Sequence, residues 1–242
     1  MAHLRAIETL SGATIGILFA VLGAVFSDTV QAVTLITNRA DLGGNDSVNW
    51  GVLGPPSTYV SNPFSITSLG GITLDISQPI GSFSRGNQSW ESWAGMFAPG
   101  DALLFTGGSN QGSITIDFDV PVFGAGTQFQ TAVEGDPYTA MIEAFDSLGN
   151  SLGLVGLSGI SRFGLEGDNS AIFVGVRSDS ANIDKLKLNV VATRVKDPGF
   201  AINQLDLATT NEAEPIPEPT TAVAMLALGG SAICAKLWRK RR

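Results

Sequence analysis

Two tryptophans, three glutamates and four aspartates carry most of the chemistry this chain could do. Trp90 and Trp93, with Phe97 close by, offer indole faces on which sugar rings stack, provided that they are exposed. Buried instead, they fill a core, where large aromatics supply most of the burial, and this is the preferred reading. Exposure of both indoles on one concave face separates the two readings. Glu91, Glu134 and Glu143 are the acids available for glycoside hydrolysis, which needs two carboxylates about 5–10 Å apart. Glu143 alternates like an outward strand residue beside Ala140 and Ile142, so solvated surface charge accounts for it better and a non-enzymatic protein is expected. Asp117 and Asp119 stand two apart on one side of a strand, with Asp136 and Asp168 available from loops. Such carboxylates can hold a structural Ca²⁺ together with backbone carbonyls. Asp-x-Asp with no following glycine is not an EF-hand loop, so a surface pair is preferred, Ca²⁺ is the alternative, and no other cofactor is indicated.

What is missing narrows the chemistry further. The single histidine is His3 and the single cysteine is Cys234, both in the terminal segments. The stretch from Val33 to Pro219 therefore cannot build a disulfide, a thiol nucleophile, a Ser-His-Asp triad, or a zinc or copper site on His or Cys. It contains no phosphate-binding Gly-x-x-x-x-Gly-Lys-Ser/Thr loop and no dinucleotide fingerprint. It holds 20 Asp/Glu against 8 Lys/Arg, a net charge near −12. That surface repels phosphate backbones and argues against nucleic acid as a partner.

The elements that must position these residues read as all-β. Ile114, Ile116, Phe118 and Val120 alternate with Thr115, Asp117 and Asp119, the period of a half-buried strand. Thr139 to Phe145 and Leu152 to Leu157 flank the turn-forming Asp146-Ser147-Leu148-Gly149-Asn150. Further strands are predicted at 171–177, at 185–192 with Leu186, Leu188 and Val190 inward, and at 200–207. Shorter ones are predicted at 33–37, 72–76 and 102–106. Residues 38–68, rich in Gly, Asn, Ser and Pro, read as a long ordered loop or a partly open region. No internal repeat is visible. Short strands at turn-punctuated spacing predict a single β-sandwich of jelly-roll type over residues 33–208.

The two ends read as targeting segments. Residues 1–32 carry Arg5 in a polar start, an apolar run from Ala13 to Phe26 and a small-residue Val30-Gln31-Ala32 cleavage pattern, which together outline a secretory signal peptide with a helical core. Residues 209–219 are polar, acidic and proline-bearing, and read as a linker. Pro217 and Pro219 prevent a helix from starting before Thr220. Residues 220–238 are predicted to form a transmembrane helix, short of the usual 20 or so apolar residues, with Lys236 and Trp238 anchoring at the interface. Arg239, Lys240, Arg241 and Arg242 form the basic stop on the cytoplasmic side.

Pro217-Glu218-Pro219, an apolar segment and a basic terminus together resemble the PEP-CTERM sorting signal of Gram-negative bacteria and cyanobacteria. Ile216 stands where that family more often has valine. Phe97-Ala98-Pro99-Gly100-Asp101, Ile114 to Val122, Ala140 to Gly149 and Ile172 to Val176 are similar to the β-rich ectodomains that often precede the signal. Many relatives close on Ile-Asp-Asp or Ile-Asp-Asn where this chain has Ile202-Asn203-Gln204, which removes both acidic positions. The resemblance implies recognition and cleavage near the triplet by exosortase, with brief anchoring in the inner membrane and residence at the cell surface or in the extracellular matrix. It implies a structural or adhesive role there, the alternative being an exopolysaccharide-binding module using Trp90 and Trp93.

Overall fold

Alternation becomes strand wherever one face of it can be buried, and the long strands of this protein follow that rule. The computed structural model describes residues 33–108, 111–164 and 166–210, and it is all-β, with two short 3-10 turns and no α-helix among those residues. One antiparallel sheet has six strands in the order β11 (Ser151–Ile160), β10 (Pro137–Phe145), β13 (Ile183–Ala192), β8 (Ile114–Val122), β5 (Thr73–Ser77), β4 (Phe64–Thr67). Its inner face is apolar throughout: Leu74, Ile76, Ile114, Ile116, Ala140, Ile142, Leu186 and Leu188 are fully buried. The residues between them point outward, as period two requires.

The second sheet has nine strands, and one of its central strands, β9, is absent from the sequence reading. Its main path runs β1 (Thr34–Ile36), β12 (Ile172–Arg177), β9 (Gly124–Thr131), β14 (Phe200–Ile202), β7 (Ala102–Phe105), β6 (Phe83–Asn87), β3 (Thr58–Val60). Off this path β15 (Leu205–Ala208) pairs with β9 and with β2 (Asp46–Val48). The two inner faces share one core, in which Phe129, Val174, Phe200 and Leu207 meet the apolar face of the six-stranded sheet. Tyr138 on β10 crosses that core to donate its hydroxyl to the carbonyl of Phe129 on β9 at 2.7 Å. Burial pushes the phenol's pKa upward, which keeps it the donor.

Three sequence expectations change here. Residues 38–68 are ordered, with β2, β3, β4 and the 3-10 turns Arg39–Leu42 and Trp50–Leu53. Their short strands lie at sheet edges and show too few residues for a period to appear. The strand predicted at 200–207 is two strands, β14 and β15, with different outer partners. Strands β6 and β9 were not predicted. Strand β9 is Gly-Ala-Gly-Thr-Gln-Phe-Gln-Thr, buried on both faces, so it lacks alternation. A β-carbon at Gly126 would stand 2.6 Å from Cζ of Phe173 and 2.8 Å from Cα of Gly175, so the neighbouring strand and its ring can lie this close only over glycine. The predicted signal helix, the transmembrane helix 220–238, the triplet Pro217-Glu218-Pro219 and the basic cluster Arg239 to Arg242 lie outside the described residues. No helix among the described residues is long and apolar enough to cross a membrane.

Candidate binding site

The nine-stranded sheet forks at Asn203. Ile202 lies opposite Phe129 and Asp206 opposite Gly126, so three residues of one strand face two of β9, which is a β-bulge. On one side of the bulge β14 pairs with β7, with Ile202 opposite Leu104; on the other β15 pairs with β2, with Leu205 opposite Val48. The displaced carbonyl of Asn203 accepts the indole N–H of Trp50 at 2.6 Å and the hydroxyl of Thr127 at 3.0 Å.

The Asn203 side chain organises the polar groups around the fork. Its Oδ1 accepts from Arg39 Nη2 at 3.0 Å and from the Gln128 backbone N–H at 3.1 Å. Its Nδ2 donates to Asp101 Oδ2 at 2.8 Å and to Gln128 Oε1 at 2.6 Å. Arg39 in turn pairs with Asp206 at 2.7 Å, and its guanidinium lies 5.5 Å above the ring of Phe173. Gln204 donates to Asp206 at 2.7 Å. Burial raises the Asp206 pKa, with Gln204 and Arg39 only partly offsetting it. A web so fully cross-linked fixes side-chain positions at the fork.

Between the two prongs lies a cleft of about 310 Å³, lined by Asn49, Gly51, Arg85, Gly100, Asp101, Ala102 and Gln204. Each element delivers its residue for a local reason. Asn49 caps the turn Trp50–Leu53, its Oδ1 accepting from Gly51 N at 2.8 Å. Gly100, at φ 83°, turns the chain into β7 and brings Asp101 to the rim. Arg85 lies opposite Leu104 on the same side of β6 as the fully buried Phe83, so alternation directs it inward. Its guanidinium is buried, and desolvation lowers its pKa. The cleft can present donors and acceptors to a polar ligand. Among the described residues Asp101 is the one carboxylate lining it, and Asp101 already accepts from Asn203 and from Ala98 N.

The predicted site residues scatter. Trp93 is buried against Phe97, Phe105 and Phe163, with its N–H donated to Gln130 at 2.9 Å. Trp90 is 61% exposed and donates to Glu166 at 3.3 Å. The pair therefore makes no joint platform: Trp93 belongs to a second apolar layer over the outer face of the nine-stranded sheet. Glu91 is exposed on the loop after β6, Glu134 lies in the turn after β9, and Glu143 on β10 accepts from Ser151 at 3.0 Å. The aspartates do not converge on an ion. Asp117 pairs with Lys185 at 2.9 Å, Asp119 accepts from Thr73 N at 2.9 Å, and Asp168 is held by Ser170. Asp136 is wholly buried, bound by Thr193 and by Arg194 N at 2.9 Å.

Sequence reasoning passed over Asn49, Arg85 and Gln204 as site residues. Arg85 had a visible signal: Phe83-Ser84-Arg85 places a cation two residues from a core phenylalanine, on the same strand face.

No protein-family model and no curated protein matches the chain. Among solved structures it is similar to a DUF4465 family protein from Bacteroides caccae, at 13% identity and a TM-score of 0.39, covering 73% of this chain and 100% of that one. It is also similar to the CBM22-1 xylan-binding domain of Xyn10C from Paenibacillus barcinonensis, at 12% identity and a TM-score of 0.27, covering 69% of this chain and 97% of that one.

Proposed function

We propose that this chain is an exported, non-enzymatic protein of the cell envelope or extracellular matrix whose jelly-roll-type sandwich binds a saccharide, such as exopolysaccharide, in the fork cleft. One observation carries the binding reading: Asn49, Arg85, Asp101 and Gln204 meet around a cleft of about 310 Å³ beside the cross-linked web at Asn203. That volume lies at the lower end of small-ligand sites, about 300–1,000 Å³. Planar amide, guanidinium and carboxylate groups are the usual partners for hydroxyls, and here Asn203 holds Asp101 in place. Glycoside hydrolysis needs a second carboxylate across the sugar, and among the described residues the cleft lining holds Asp101 alone.

Calorimetric titration of the full chain with a panel of oligosaccharides tests this. Gly51→Leu places a side chain in the cleft, where its β-carbon would already stand 3.6 Å from Arg85 Nη2. Binding that Gly51→Leu abolishes, with the near-UV circular dichroism unchanged, supports the reading. Binding lost in Trp90→Ala and kept in Gly51→Leu moves the site to the exposed indole.

Delivery to the exterior rests on the sorting signal at Pro217-Glu218-Pro219, where exosortase would cut and end the anchoring. Mass spectrometry of the mature external protein is expected to find a terminus near the triplet; an intact Arg242 would overturn the processing reading.

A further inference from the structure

Among the described residues, Arg85 is a cation without a counterion. It is 93% buried, at 7% relative exposure, yet Nε and Nη1 have no hydrogen-bond partner among the described residues. No carboxylate of the described residues lies within 4.0 Å of it. The four ion pairs among the described residues use Arg39, Arg162, Lys185 and Arg194, and three of their four acids are at least partly exposed. Proteins rarely keep such a group, because a buried charge left unpaired is costly and an apolar residue of similar volume would relieve it. Retention of the arginine is explained when its partner arrives from outside.

The surroundings define that partner. The cleft gives access to the guanidinium beside Gly51, where the absence of a side chain leaves room next to Nη2. Asp101 and Gln204 line the same space but form no bond to Arg85, so its Nη2, beside Gly51, is left to meet an incoming anion while Nε and Nη1 lie buried behind it. A guanidinium forms a charge-assisted hydrogen bond to a carboxylate, and burial strengthens the pair. Charge at longer range limits the occupant. Residues 33–219 carry a net charge near −12, from 20 acids against 8 bases, and repel a densely charged polyanion. One carboxylate on an otherwise neutral saccharide satisfies Arg85 without meeting that field many times over.

We infer that the fork cleft is specific for an acidic sugar, taking the carboxylate of a single hexuronate on Arg85 while Asn49, Asp101 and Gln204 engage the ring hydroxyls. The inference rests on the saccharide reading above and sharpens it to a substrate class.

Calorimetry on the full chain uses three probes: a neutral gluco-oligosaccharide, the same oligosaccharide ending in glucuronate, and inorganic sulfate. The glucuronate form is expected to bind about ten- to a hundredfold tighter than the neutral one, the worth of a charge-assisted pair. In Arg85→Met that preference should disappear while the melting temperature holds or rises, because an unpaired buried charge has been removed. Equal affinity for the neutral and acidic oligosaccharides overturns the charge inference and leaves the saccharide reading standing. Sulfate binding as tightly as the glucuronate form overturns both, since the cleft would then be a simple anion site. Preference surviving in Arg85→Met also overturns the assignment. Should that variant not fold, the wild-type protein decides alone: sodium glucuronate must raise its melting temperature where glucose at equal concentration does not.

Discussion

The six-stranded sheet and the fork of its partner solve the same burial problem in opposite ways. In β8, β10 and β13 one face is apolar and the other is wet, so each side chain needs only to be hydrophobic and roughly the right size. At the fork β9 is covered on both sides, by the shared core beneath and by Trp93, Met96 and Phe97 or Arg39 above. Thr127, Gln128, Gln130 and Thr131 are all buried there, and each has partners. The lesson concerns tolerance. An apolar face accepts many substitutions at modest cost, whereas a buried polar web strands several groups when one member is lost.

The sharpest way to break the comparison is Asn203→Ala. It leaves Asp101, Gln128 and Arg39 without their shared partner and is expected to cost about 4 kcal/mol or more in urea unfolding, at about 1–3 kcal/mol for each stranded group. A loss below about 1 kcal/mol would mean that the web is ornamental. Trp93→Ala should cost about 3–4 kcal/mol and Trp90→Ala less than about 0.5 kcal/mol, since one indole is packed and the other open. Equal effects would contradict the placement of the second layer. Gly126→Ala forces Phe173 and Gly175 aside and is expected to cost about 1–3 kcal/mol, read as a lowered denaturation midpoint. Asp117→Asn on the wet face removes an exposed ion pair and should cost about 0.2–1 kcal/mol.

Acid titration sharpens the contrast between two carboxylates. Burial alone would push the Asp136 pKa up, but hydrogen bonds from Thr193 and Arg194, with the charge of Arg194, hold it below the ordinary value. Its stabilising contribution is present above the unfolded pKa, near 3.9, and is lost as pH falls through the lower folded value. Asp206 runs the other way: raised by burial, its contribution is present below the unfolded value and lost as pH rises through the folded one. Melting curves between about pH 2 and 6 should therefore lose acid sensitivity in Asp136→Asn and gain it in Asp206→Asn.

The fold was legible wherever one face met water. Ile114 to Val122 and Pro137 to Phe145 announce their strands because alternation records half-burial. Strand β9 could not be read that way, since its composition answers to Phe173 packing on glycine and to amides meeting amides, both set by chain segments far away in sequence. Residues 200–207 carried a strand signal, but the bulge that splits them depends on which neighbours β14 and β15 find. The candidate cleft was partly written. Arg85 shares a strand face with Phe83, and Gly100-Asp101 marks a turn, but convergence of Asn49, Asp101 and Gln204 needs the fork itself.

The account stands on that cleft being where ligand sits, and backbone amide shifts report it directly. A glucuronate-terminated oligosaccharide is added to the isotope-labelled full chain. The amides of Gly51, Gly100, Asp101, Ala102 and Gln204 should move together as the cleft fills, with Trp90 and Glu166 unmoved. Shifts confined to Trp90 and Glu166, with the fork amides still at saturation, would contradict it.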